Sequence, residues 1–165
     1  MVLTAPAGIT SEPFGELALK GSSMIDLAKM LDRSYNQGVI LGALSELHRA
    51  TINADYTSIA KRIADTGIQK LTNSNDILHD PCEPDCGGDG SQFKGIFARN
   101  LQILQHTSPE GRYVEFPDRN ADSVWQSDMN EKNEFGLEWD GHFVGQANVS
   151  LQSSALDVIV RSLST

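Results

Sequence analysis

The run from Tyr56 to Leu71 limits the possible folds more than any other stretch of the chain. Tyr56, Ile59, Ala60, Ile63, Ala64, Ile68 and Leu71 recur at the spacing of one face of an α-helix, so this segment buries a stripe. The stretch before it, opening at Tyr35, has the same period in Val39, Ile40, Ala43, Leu44 and Leu47. Only Asn53 to Asp55 interrupts the two, and Asp55 is placed to cap the second start. Two amphipathic helices joined by so short a polar link predict an antiparallel hairpin.

Residues 72 to 90, TNSNDILHDPCEPDCGGDG, form a long loop with two prolines and several carboxylates. Loops of this length inside a compact domain are more often functional than idle. Helix resumes with Phe93, Ile96, Phe97, Leu101 and Leu104. A further helix is expected from Glu110 to Met129, with Tyr113, Ala121, Val124 and Trp125 inward and Pro117 kinking or restarting it. After the loop EFGLEWDGHFVG, Asn148 or Ser150 caps a last helix that buries Ala155, Leu156, Ile159, Val160 and Leu163. No segment sustains the alternation of a strand, so the fold class is all-α, with short and long loops alternating between paired helices. Residues 1–33 are expected to be an irregular arm, apart from a possible short helix over Met24 to Leu31.

A net charge of -9 with no basic run makes nucleic acid and anionic membrane poor partners, whereas a neutral polysaccharide meets no such repulsion. No apolar stretch approaches the length of a membrane span, and Met1 to Lys20 shows no signal peptide. The stretch Ser34-Tyr35-Asn36-Gln37-Gly38 opens its helix with a ring and two amides. Amides suit sugar hydroxyls, which both donate and accept; the plainer reading makes Asn36 a cap and Tyr35 a packing residue. His79, Cys82 and Cys86 could be zinc ligands with an aspartate as fourth, but no second Cys or His pair stands at the usual spacing. A calcium loop starting at Asp85 fails because Gly87 and Ile96 fall where oxygen ligands are required. A disulfide between Cys82 and Cys86 is the competing reading, and geometry decides it. Metals and cofactors are therefore entered as none. Lys94 and Arg99 lie off the apolar stripe of their helix, and Gly87 to Gly90 lets backbone approach a ligand.

Four stretches in order, YNQGVILGALSELHRAT, CEPDCGGDGSQFKGIFARNLQIL, ADSVWQSDMNEKNEFGLEWDG and LQSSALDVIV, resemble the C-terminal half of glycoside hydrolase family 76. That family is typified by endo-α-1,6-mannanases, and the resemblance covers roughly residues 34 to 163. It implies a partial (α/α)6 barrel, about half of the hairpins of the full toroid, over residues 34–165. It also implies a glycan groove at one end, with mannan or a manno-oligosaccharide as partner. The groove-lining set expected from it is Tyr35, Asn36, Gln37, Asp89, Lys94, Arg99 and Trp139, with Tyr35 and Trp139 stacking on sugar faces. Cys82 and Cys86 match a cysteine pair of the family, which favours a disulfide and an extracellular or cell-wall parent protein. The sequon Asn148-Val149-Ser150 points the same way.

The family's hydrolysis uses two neighbouring aspartates upstream of the Tyr-Asn-Gln-Gly element, and this chain holds no Asp-Asp dipeptide. Cleavage of a glycosidic bond ordinarily needs two carboxyl groups across it. The expectation is therefore a truncated chain, inactive by itself, with no catalytic residue assigned. A cell-wall transglycosidase on mannose-containing glycans and a non-catalytic carbohydrate-binding remnant are the alternatives. Helices lacking their partners would leave an exposed apolar seam, through which self-association is expected.

Overall fold

The computed structural model describes residues 33–163, so the expected arm and the Met24 to Leu31 helix lie outside the described residues. Five principal helices follow one another: α1 (Ser34–Thr51), α2 (Ala54–Lys70), α3 (Phe93–Thr107), α4 (Arg112–Ser127) and α5 (Val149–Ser162). A single helical turn, Gly87–Gly90, precedes α3. The link between α1 and α2 is Ile52, in the left-handed conformation at φ 56, followed by Asn53. The cap of α2 is Asn53, whose side chain accepts from the Asp55 amide at 2.9 Å; Asp55 instead sits in the first turn, where its charge opposes the helix dipole.

Because the links 52–53 and 108–111 are short, each hairpin reverses at one end, and the long loops 71–92 and 128–148 meet at the other. The starts of α1, α3 and α5 therefore share the loop end. These three helices form an inner row, α1 on α3 and α3 on α5. Helix α2 backs α1 and touches α3, while α4 backs α5 and touches α3. The result is an arc of two layers.

The inner row is packed backbone to backbone. A Cβ on Gly38 would stand 2.7 Å from Phe97 Cα, and one on Gly95 would stand 2.6 Å from Ser154 Cα. Ser154 Oγ uses the proximity to accept the Gly95 amide at 2.9 Å. This closeness displaces the expected buried faces. In α1 the buried residues are Ser34, Gln37, Gly38, Leu41, Gly42 and Ser45, while Val39 is 45% exposed and Ile40 also faces out. In α5 the buried residues are Leu151, Ser154, Ala155, Val158 and Arg161, and Leu156 is 49% exposed, with Val160 and Leu163 exposed as well. The contact selects small residues over apolar ones. Gly95→Ala is expected to cost about 1–3 kcal/mol by overpacking, because the opposing atom is backbone and cannot turn aside. Gly88→Ala, whose new Cβ meets nothing within 4 Å, is the control in the same thermal melts and should stay within about 0.5 kcal/mol.

Two further expectations are corrected. Trp125 is 55% exposed, tilted against Phe135 rather than pointing inward. Helix α4 runs unbroken through Pro117. Proline removes the N–H that would bond Tyr113 O, and Arg161 Nη2 from α5 donates to that carbonyl at 3.1 Å instead.

Both long loops open with the same arch. Asn73 Oδ1 accepts the amides of Asn75 and Ile77, and Asn130 Oδ1 accepts those of Lys132 and Glu134. Asp76 and Asn133 take positive φ at corresponding places, and the isolated bridges Thr72–Leu78 and Met129–Phe135 close the two arches. Asparagine and aspartate tolerate that conformation better than other side-chain-bearing residues, which suits them to these corners.

Candidate functional site

The loop end gathers most of the chain's unusual chemistry. Helix α1 starts without a side-chain cap of its own. The buried Asp80 carboxylate from the first loop supplies one, accepting Ser34 N at 2.8 Å and Ser34 Oγ at 2.5 Å. A carboxylate there matches the positive end of the helix dipole. It fixes the first turn of α1 and with it the next residue, Tyr35.

Tyr35 stacks on Phe93 with ring centroids 5.2 Å apart and planes at 24°. The Arg33 guanidinium stands 5.6 Å from the Phe93 centroid. Tyr35, Asp89, Gln92, Phe93 and Ile96 line an open cleft of about 400 Å³. The Gln92 side chain donates to Ser150 Oγ at 3.1 Å, which ties the cleft to the start of α5. A ring pair with a carboxylate and an amide beside it can hold a flat, hydroxyl-bearing ligand by stacking and hydrogen bonding.

Behind this cleft lies a buried charge cluster. Lys94 is 2% exposed. Its Nζ lies 2.7 Å from Glu83 Oε1, donates to Leu137 O at 2.5 Å and stands 4.9 Å from the Trp139 centroid. Trp139 is 1% exposed, and its carbonyl accepts from Ser123 Oγ at 2.8 Å. Glu83 Oε1 also accepts the Asp80 amide, and His79 Nδ1 stands 3.0 Å from Oε2. Burial raises the Glu83 pKa, opposed by the Lys94 pairing. Asp128, fully buried, is pushed up to about 7, first by burial and then by Glu83 and Glu138, while Lys94 and the Gly136 amide pull it down.

The residues expected at a groove therefore separate into two layers and an outlier. Tyr35 and Asp89 line the open cleft, and Asn36 lies half-buried beside Tyr35. Gln37, Lys94 and Trp139 sit behind it in the interior. Arg99 is exposed one turn beyond Ile96, with Nη1 3.5 Å from Asp157 Oδ2. Sequence reasoning missed Gln92, Phe93, Asp80, Glu83 and Asp128. The first two were within reach, since alternating short and long links place every odd-numbered helix start at one end. Cys82 and Cys86 form a disulfide, with Cα atoms 4.7 Å apart, that closes the loop around Glu83. Among the described residues no group of three His, Cys, Asp or Glu side chains is placed to hold a metal ion. Among them, too, Asp89 is the one carboxylate lining the cleft.

The sequence model of glycosyl hydrolase family 76 matches residues 23–165. No curated protein matches the chain significantly. Among solved structures, the Lin0763 protein of Listeria innocua is similar at TM-score 0.72 and 27% identity, over 79% of this chain and 37% of that one. The α-1,6-mannanase GH76A of Salegentibacter sp. HEL1_6, as an inactive variant with two aspartates replaced by asparagine and bound to α-1,6-mannotriose, gives TM-score 0.68 and 26% identity. There the match covers 79% of this chain and 39% of the enzyme. A GH76 α-mannanase of Bacteroides thetaiotaomicron shares the fold at TM-score 0.59 and 18% identity, over 79% of this chain and 35% of that one. The described arc is thus part of an α/α barrel, and the chain spans less than two fifths of these relatives' length.

Proposed function

This chain belongs to glycosyl hydrolase family 76, and from that premise we propose that its loop end forms one wall of a groove for α-1,6-linked mannan. The observation that carries the reading is the Tyr35–Phe93 pair, open to solvent beside Asp89 and Gln92 at the end where the long loops converge. A neutral, flat-faced sugar matches that chemistry, and the -9 charge of the chain does not oppose it. The similar mannanase was solved with an α-1,6-mannotriose, which supports the substrate class. In this reading Tyr35, Asp89 and Gln92 touch the glycan, Asn36 and Arg99 extend the wall, and Gln37, Lys94 and Trp139 brace it from behind. The Cys82–Cys86 disulfide supports an exported parent protein.

The polypeptide binds without cleaving. Hydrolysis needs a second carboxyl group facing the first, and the cleft holds Asp89 alone among the described residues. Calorimetric titration with α-1,6-mannotetraose should give measurable binding. Tyr35→Ala should weaken it by about 0.5–1.5 kcal/mol, the worth of one stacked ring, or roughly two- to tenfold in Kd. Unchanged affinity in that variant would remove the groove from this face. Release of reducing sugars from α-1,6-mannan by the 165-residue chain would show that two of its own carboxyls cooperate after all.

A further inference from the structure

One ammonium serves two carboxylates in the interior behind the cleft. Glu83 belongs to the first long loop, Leu137 and Trp139 to the second, and Lys94 on α3 binds all three. Asp128 opens the second loop with 0% exposure, and neither of its carboxylate oxygens has a hydrogen-bond partner. It has no room to turn, since a Cβ on Gly136 would fall 2.4 Å from its Oδ1. The charged groups facing it are Lys94 from α3, Glu83 from the first loop and Glu138 from the second, with His79 reaching Glu83 from the rim.

Charge counting then gives two states. With Glu83 ionised and Asp128 neutral, the single Lys94 charge is balanced. With both ionised, two negative charges compete for one cation in a site closed to water, and burial in low dielectric makes the surplus charge costly. The pair titrates as a unit, so relief must come from water entry or from separation of the loops. We propose that Lys94, Glu83 and Asp128 form a proton-controlled latch, which holds the two long loops together while Asp128 is neutral and frees the second loop when it ionises. The loops flank the Tyr35–Phe93 cleft, so the latch also sets glycan affinity; that consequence, unlike the latch, rests on the function proposed above.

The test follows Trp139 in a Trp125→Phe background, which leaves it the sole tryptophan, from pH 5 to pH 9. Hydrogen exchange of amides 128–148, corrected for intrinsic rates, is measured alongside. The expected result is a shift in emission and a rise in exchange with a common midpoint near neutrality. Asp128→Asn should abolish both. Glu83→Gln leaves Lys94 free for Asp128 and should lower the midpoint by at least one pH unit, a change that a merely structural role would not produce. Flat profiles, a transition that survives Asp128→Asn, or an unmoved midpoint in Glu83→Gln each overturn the latch. If Asp128→Asn fails to fold, the Glu83→Gln midpoint decides. Mannotetraose affinity across the same range separates the two proposals: a loop transition without a change in affinity counts against the groove and leaves the latch standing.

Discussion

Lys94→Met should lower the free energy of unfolding by about 3–5 kcal/mol, the cost of removing one partner of a buried ion pair. The lysine is 2% exposed and the Glu83 side chain 1%, so little solvent is available to take over the pairing. Its loss strands Glu83 in the interior, leaves Leu137 O without its donor and uncovers the Trp139 ring. Adding Glu83→Gln removes the stranded charge, so the double variant should recover a large part of the loss despite carrying one more substitution. Urea unfolding measures both. A single-variant loss below 1 kcal/mol, or a double variant less stable than Lys94→Met alone, would show that the pair does not hold the loops.

The second large effect is on pH dependence. Asp128 has an ordinary value of 3.8 and is held at about 7 in the folded protein. The folded state therefore keeps a proton that the unfolded chain has already released. Its contribution is complete below pH 3.8, declines as the pH rises and is gone above about 7. A shift of that size corresponds to on the order of 4 kcal/mol between the two limits. Glu83, also raised by burial, adds in the same direction. The urea midpoint should accordingly be higher at pH 5 than at pH 8. In Asp128→Asn most of this slope should vanish, and at pH 8 the variant should match or exceed the parent. A midpoint that rises from pH 5 to pH 8 would contradict the burial of a protonated Asp128.

The helices and their order were legible because α2 and α3 carry clean helical periods that burial enforces. Which face is buried was less legible. In α1 and α5 hydropathy points to Val39, Ile40, Leu156 and Val160, yet these are exposed and the contacts run through Gly38, Gly42, Gly95 and Ser154. Hydropathy scores side chains, whereas these helices meet through their backbones. At the loop end Tyr35 and Asp89 were legible as cleft residues because they flank helix starts. Lys94 reads as a surface residue by composition. Only contacts distant in sequence, with Glu83 and Leu137, reveal it as an interior tie. The paired arches escaped notice because they repeat a hydrogen-bonding scheme and share little beyond Asn73 with Asn130 and Asp76 with Asn133.

Each arch ends on a bond back to where its helix stopped, His79 N to Leu71 O in the first and Gly136 N to Asp128 O in the second. The backbone thus leaves both helices through the same fixed doorway, whatever residues come afterwards. Downstream stretches are free to lengthen, shorten or be exchanged between relatives while the scaffold keeps its register, much as tool heads are swapped on a common handle. Diversity in what such a protein grips can accumulate just past Leu78 and Phe135, with little consequence for how it folds.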